Sequence, residues 1–271
     1  MQKLSAINHN VKPPDGKVYP VHDERQCAEG CDICGGSGWF SYDVDIHHNF
    51  FGELFLCPNV PIDSSALNFY GLQPNERLYR WDDLERIGGD GQIKLDKAKK
   101  AVKAVLELGR GMVYLHGSYG LAKSMILKIA VAECLRYSRS VDLEDLHKWN
   151  ARYTHMDTIY NELRSCFDGY NKSAALQEVK DKYLNIPILC IDEVGLVQNS
   201  DWEDKEQFHL IDWRYTQAIE NEQNLITIMG SNLTPAELPP RIQSRLEDGR
   251  CFVGELAGTD YRLIQQPLEE K

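Results

Sequence analysis

The 271-residue chain has no run of apolar residues approaching the roughly 20 that a membrane-spanning helix needs. Met1–Lys12 has no apolar centre of the kind found in a secretory leader, so a cytoplasmic protein without a membrane partner is expected. Positive charge is scarce: 30 Lys and Arg stand against 41 Asp and Glu, a net charge of −11. A generally basic surface for tight duplex-DNA binding is thereby excluded, and any nucleic-acid contact must come from a local patch or a groove made by oligomerisation. Internal repeats and low-complexity tracts are also missing. Cys134, Cys166, Cys190 and Cys251 are scattered through apolar stretches and read as buried small side chains rather than disulfide partners. What is present is ordinary globular composition, 42% apolar and 26% charged, enough for one α/β domain and a smaller module.

The chain divides by character. Residues 1–60 hold a polar start and a cluster of Cys, Gly and aromatics. Residues 61–94 form a mixed linker that ends in the loop signal Gly88-Gly89-Asp90-Gly91. From Leu95 to the end, short apolar strands alternate with helices. The pattern predicts helices over 95–108, 123–136, 160–167, 174–183, 206–221 and 241–247, and strands over 112–115, 188–191, 225–229 and 251–256. Strands that are apolar throughout and separated by helices imply a parallel sheet covered on both faces.

Gly117-Ser118-Tyr119-Gly120-Leu121-Ala122-Lys123-Ser124 follows a predicted strand and opens a predicted helix. In that setting the sequence makes a phosphate loop. Unpaired N–H groups and the positive end of the helix dipole favour an anion. Gly117 and Gly120 let the backbone turn inward, Lys123 brings a point charge to the β- and γ-phosphates, and the Ser124 hydroxyl suits Mg²⁺. Ala122 stands where such loops usually have Gly.

Ile188-Leu189-Cys190-Ile191-Asp192-Glu193 is an apolar strand delivering two acids to the carboxyl edge of the sheet. There Asp192 would hold Mg²⁺, and Glu193 would act as general base toward water. The next strand runs into Gly230-Ser231-Asn232, which offers an amide at the same edge. Arg241–Leu246 and Arg262 supply cations whose roles spacing alone leaves open. Cys27, Cys31, Cys34 and Cys57 give four thiolates for tetrahedral Zn²⁺, with His22, His47 or His48 as alternatives to Cys27. A segment this small would take its folding energy from the metal.

In order, GSYGLAKS (117–124), ILCIDEVG (188–195), DWRY (212–215), SNLTPAEL (231–238), RIQSRL (241–246) and TDYR (259–262) resemble the AAA+ ATPases of the DnaC/DnaI helicase-loader and IstB group. The resemblance covers residues 95–265. It implies an α/β P-loop NTPase fold with a parallel central sheet. It also implies ATP at subunit interfaces of a homo-oligomer and weak single-stranded DNA binding through the assembly. Asn232 matches the position that senses the γ-phosphate, Arg245 an arginine finger acting in trans, and Arg262 a second sensor. Arg214 lies in the family's Arg-Tyr pair without an assigned role. About 30 residues follow Leu238, too few for a full helical lid, so a truncated lid is expected. With its N-terminal zinc module, the chain resembles loaders of a replicative helicase, which use such a module for docking. The alternatives are an IstB-like helper working with a transposase and a non-catalytic adaptor, the latter prompted by Ala122.

Overall fold

The computed structural model describes residues 18–21, 27, 30–43, 45–46, 51, 55–57, 64–87, 91–138, 150–168, 172–195, 200–258 and 260. Among them, three short strands, β1 (Val18–Val21), β2 (Trp39–Tyr42) and β3 (Phe55–Leu56), form an antiparallel sheet in that order. Its small cluster consists of Cys27, Cys34, Phe40 and Cys57, with Cys31, Ile33 and Tyr42 packed against it.

The larger unit begins with α1 (Ser64–Tyr70), two 3₁₀ turns (Glu76–Leu78 and Trp81–Ile87) and α2 (Gln92–Leu108). Leu95, Ala98, Lys99, Val102 and Leu106 make the buried stripe of α2, and Gly109, at φ 79°, ends the helix in the left-handed region. Then come β4 (Gly111–His116), α3 (Lys123–Ser138), β5 (Ala151–His155), α4 (Met156–Ser165), α5 (Lys172–Leu184) and β6 (Ile188–Asp192). The chain continues through α6 (Asp201–Tyr215), β7 (Ile226–Ser231), α7 (Pro240–Leu246) and β8 (Phe252–Glu255).

The five strands are all parallel, in the order β5-β6-β7-β4-β8. β7 therefore lies between the strand leading to the phosphate loop and the strand carrying the two acids. Alternation assigns the side chains to two cores. Val113, Leu115, Ile188, Cys190, Ile226 and Ile228 face α2, α3 and the stretch containing Leu67, Tyr70, Trp81 and Leu84. Met112, Tyr114, Leu189, Ile191 and Met229 face α4, α5, α6 and α7. Each such Leu or Ile, fully buried, contributes roughly 1.5–3 kcal/mol. The stretch 64–87 is tied to α3 by more than contact. Trp81 Nε1 donates to Glu133 Oε2 at 2.5 Å, and Lys128 Nζ donates to Glu76 Oε1 at 2.6 Å.

The predicted strands and helices from residue 95 onward are all present, with shifted ends. The helix expected at 206–221 starts at Asp201, because Ser200 caps it in a reciprocal box with Glu203, and its last turn, Thr216–Glu220, widens to π geometry. The helix expected at 160–167 starts at Met156, directly after β5. Sequence reading missed β5 itself. Among the described residues no helix is long and apolar enough to cross a membrane. The truncated lid is expected among the residues after Leu238, of which 259 and 261–271 lie outside the described residues.

Candidate functional site: a phosphate loop facing two acids

β4 leads out of the sheet at His116, and the chain turns at once. Gly117 has φ 144°, and a Cβ there would stand 2.3 Å from the Leu256 carbonyl oxygen, so only glycine fits. Ala122 adopts φ 63°, the conformation a glycine would take. The methyl costs about 1–2 kcal/mol in backbone strain, yet the turn forms, and the Ala122 carbonyl accepts from Ile126 N at 2.9 Å to start α3. Lys123, only 7% exposed, folds back so that Nζ donates to the carbonyls of Gly117 and Ser118, both at 2.7 Å.

The loop opens on a cavity of about 250 Å³. Tyr119, Gly120, Leu121, Ala122, Lys123 and Ser124 line one side, Asp192 and Glu193 another, and Ser231 and Asn232 a third. Gly117 and Ser118, also predicted to bind the nucleotide, are not among the lining residues; their carbonyls accept from Lys123. Segments nearly 70 residues apart thus face one space. The strand order explains why: β4, β7 and β6 are neighbours, and their carboxyl ends share an edge.

The acids are firmly placed. Asp192 is 3% exposed. Its Oδ1 accepts the Glu193 backbone N–H at 3.1 Å, and its Oδ2 accepts the Tyr153 hydroxyl at 2.8 Å. Glu193 takes φ 60°, a left-handed bend that a non-glycine residue adopts only under constraint. The constraint comes from β7: Val194 N donates to the Gly230 carbonyl at 3.0 Å, and the buried Ser231 hydroxyl donates to the Val194 carbonyl at 2.5 Å. The Glu193 side chain is half exposed, with Oε2 3.2 Å from His155 Nδ1.

Tyr153 and His155, both on β5, were not anticipated from sequence. Burial, and then the charge of Asp192, push the Tyr153 phenol far up, so it keeps its proton. That proton is committed to Asp192, and Tyr153 can only accept from His155 Nε2 at 3.2 Å. Both contacts of the imidazole are N–H donations only when the ring is doubly protonated; a neutral ring donates to one of them. Tyr79, Met125 and Lys128 complete the lining and were also missed. Lys128 Nζ sits 4.9 Å above the Tyr153 ring centre.

Of the predicted arginines, Arg245 is described and does not line the cavity. Arg245 is on α7, where its Nε donates to Asp212 Oδ1 at 2.7 Å and its guanidinium covers the Tyr215 ring at 5.0 Å. Arg262 lies outside the described residues. Arg214, to which the resemblance assigned no role, is fully buried and does not line the cavity. It donates to the Thr227 hydroxyl and to the carbonyls of Tyr183, Leu184, Ile186, Pro187 and Ile226. Burial pulls it down to about 9, and it remains a cation at pH 7.

The second candidate site is the cysteine cluster. The sulfurs of Cys27, Cys31, Cys34 and Cys57 all lie within 4.8 Å of one another. Cys31–Cys57 and Cys27–Cys57 are separated by 3.7 and 4.0 Å. With Zn–S bonds of about 2.3 Å, a tetrahedron has edges of roughly 3.8 Å. The donor set is therefore compatible with zinc. The Gly38 N–H points at Cys34 Sγ at 3.3 Å. His22, His47 and His48 lie outside the described residues.

No family model matches the chain. Over 163 residues, 59% of the chain, it is 25% identical to the chromosomal replication initiator protein DnaA of Caldanaerobacter subterraneus subsp. tengcongensis, covering 32% of that protein. The chain thus spans about a third of the length of the curated relatives it matches. A structure of DnaI aligns over 69% of this chain and 95% of its own, with TM-score 0.48 and 21% identity. Domain III of the Thermotoga maritima replication initiation protein DnaA aligns over 65% of this chain and 67% of its own, with TM-score 0.50 and 19% identity. The parallel α/β core expected of an AAA+ P-loop NTPase is therefore a fold that this chain shares with domain III of a bacterial replication initiator.

Proposed function

We propose that the chain is an ATPase that loads a replicative DNA helicase during the initiation of DNA replication. One observation carries the ATPase part: the phosphate loop, the acids Asp192 and Glu193, and Asn232 line a single cavity. In this reading Lys123 leaves its carbonyl partners for the β- and γ-phosphates, while Gly117–Ser124 cradle the chain of phosphates with backbone N–H groups. Ser124 and Asp192 would hold Mg²⁺, which would supply positive charge against that of the triphosphate. Glu193 takes a proton from the water that attacks the γ-phosphorus, and ADP leaves with the β-oxygen. Asn232 orients that water or meets the γ-phosphate. Arg245 would exchange Asp212 for the nucleotide of a neighbouring copy, and Arg262 would act as the second sensor. These roles place ATP at the interfaces of a homo-oligomer, through which single-stranded DNA is held weakly.

The experiment is calorimetry of ATP binding with and without magnesium. The wild-type chain should take up ATP in a magnesium-strengthened manner, and Lys123→Ala should lose at least about tenfold in affinity, as expected for removal of a charge-assisted contact of 1.5–3 kcal/mol. Uptake that is absent, or equal in both proteins, would sink the ATPase reading.

The loader part is supported by the motif series in 95–265, the similarity to replication initiators and the thiolate cluster. Residues 1–60 form a zinc-stabilised docking module, residues 61–94 join it to the motor, and residues 95–271 are the ATPase domain, with a truncated lid. The intact chain should carry one zinc ion. Cys34→Ser should lose both the zinc and capture of the purified replicative helicase, while magnesium-ATP affinity stays within about twofold of wild type, since the two sites share no residue. Capture that survives loss of zinc would remove the docking role.

A further inference from the structure

Asp192 is held from three sides, and the hold explains more than its burial. Glu193 N–H occupies one lone pair of Oδ1 at 3.1 Å, and the Tyr153 hydroxyl occupies one lone pair of Oδ2 at 2.8 Å. The bare backbone of Gly230 lies beside Oδ1: a Cβ there would stand 2.8 Å from it. A carboxylate has two lone pairs on each oxygen. One is therefore committed on each, and one on each is left for a metal or its water. The phenol is itself braced. Its ring lies beneath Lys128 Nζ, which is anchored by Glu76, and the His155 ring meets it edge-on at 5.4 Å between centroids. A group whose one hydroxyl proton goes to an acid, and whose ring is fixed by two neighbours, Lys128 and His155, is built as a supporting contact to a ligand.

We propose that Tyr153 is a positioning residue for the metal in this site: its hydroxyl locks the Asp192 carboxylate in the orientation that receives Mg²⁺ and takes no part in holding nucleotide. The proposal rests on the ATPase reading and deepens it. It also gives β5 a role, because this edge strand brings Tyr153 level with the acid-bearing end of β6, where Tyr153 pairs in register with Cys190 and His155 with Asp192.

The test is Tyr153→Phe, which removes one oxygen and keeps the ring. Mn²⁺, which electron paramagnetic resonance detects directly, stands in for Mg²⁺ in the complex of the full chain with ADP. Its dissociation constant should rise roughly tenfold in the variant, the low end for loss of a supporting contact to a metal ligand. Affinity for a fluorescent ADP analogue in EDTA should stay within about twofold, a split that general loosening of the site would not produce. Mn²⁺ affinity unchanged by the substitution, or nucleotide affinity in EDTA falling in step with it, would overturn the proposal while leaving the ATPase reading intact. A wild-type chain that takes up no Mn²⁺ with ADP would overturn both. Gly230→Ala, which crowds the opposite oxygen, supplies a second variant. It should weaken Mn²⁺ binding too, and Mn²⁺ binding at wild-type strength in Gly230→Ala counts against the proposal.

Discussion

Arg214→Leu should destabilise the fold by about 4 kcal/mol or more, the largest loss expected from any single side chain here and a large share of the 5–15 kcal/mol that holds a domain together. The guanidinium joins the end of α5, the start of β6 and the start of β7. Nη1 donates to the carbonyls of Tyr183, Leu184 and Ile186 at 2.8–3.0 Å, Nη2 donates to Ile226 at 2.7 Å, and Nε donates to the Thr227 hydroxyl at 2.7 Å. Leucine would fill some of the volume and leave buried acceptors without a donor, at roughly 1–3 kcal/mol each. Lysine should rescue little, because a point charge on a flexible stem cannot span that fan of acceptors. Urea denaturation of wild type, Arg214→Leu and Arg214→Lys measures the difference. A loss below about 1 kcal/mol for leucine would show that water or rearranged backbone replaces the guanidinium.

Glu193→Gln should separate binding from turnover. Gln keeps the size and polarity of Glu193 but cannot accept the proton of the attacking water. Hydrolysis should fall by about 10²–10⁴-fold, the usual contribution of a general base, with magnesium-ATP affinity near that of wild type. The lost contact with His155 matters little, since both side chains are about half exposed, and such pairs give roughly 0–1 kcal/mol. Single-turnover release of labelled phosphate is the measurement. Hydrolysis within about tenfold of wild type would remove Glu193 from the role of base.

Those two residues show which parts of the molecule could be read from sequence. Glu193 was legible because its meaning is local: four apolar residues and two acids describe a buried strand and its end, whatever surrounds them. The loop at 117–124 was legible for the same reason, and so was the cluster of thiols, since sulfur density is itself a signal. Arg214 was visible only as a letter. Its neighbours come from positions 183–187 and 226–227, and nothing in DWRY distinguishes a buried staple from a solvated cation. β5 was lost for a different reason. In Ala151–His155, Arg152, Thr154 and His155 interrupt the kind of apolar run that marked β4, β6 and β7. With β5 went Tyr153, whose hydroxyl ties this strand to Asp192. Gly230 was read only as the residue that the strand at 225–229 runs into, whereas its significance is the missing Cβ beside a carboxylate 38 positions earlier.

The inward-folded Lys123 has an energetic consequence for ligand uptake. The ammonium satisfies two carbonyl oxygens of its own loop, so its charge has polar partners within the fold itself. In the proposed ATPase, an arriving triphosphate would therefore not add contacts to a bare cation. It competes with partners already in place, and the affinity it achieves reflects a difference between two satisfied states.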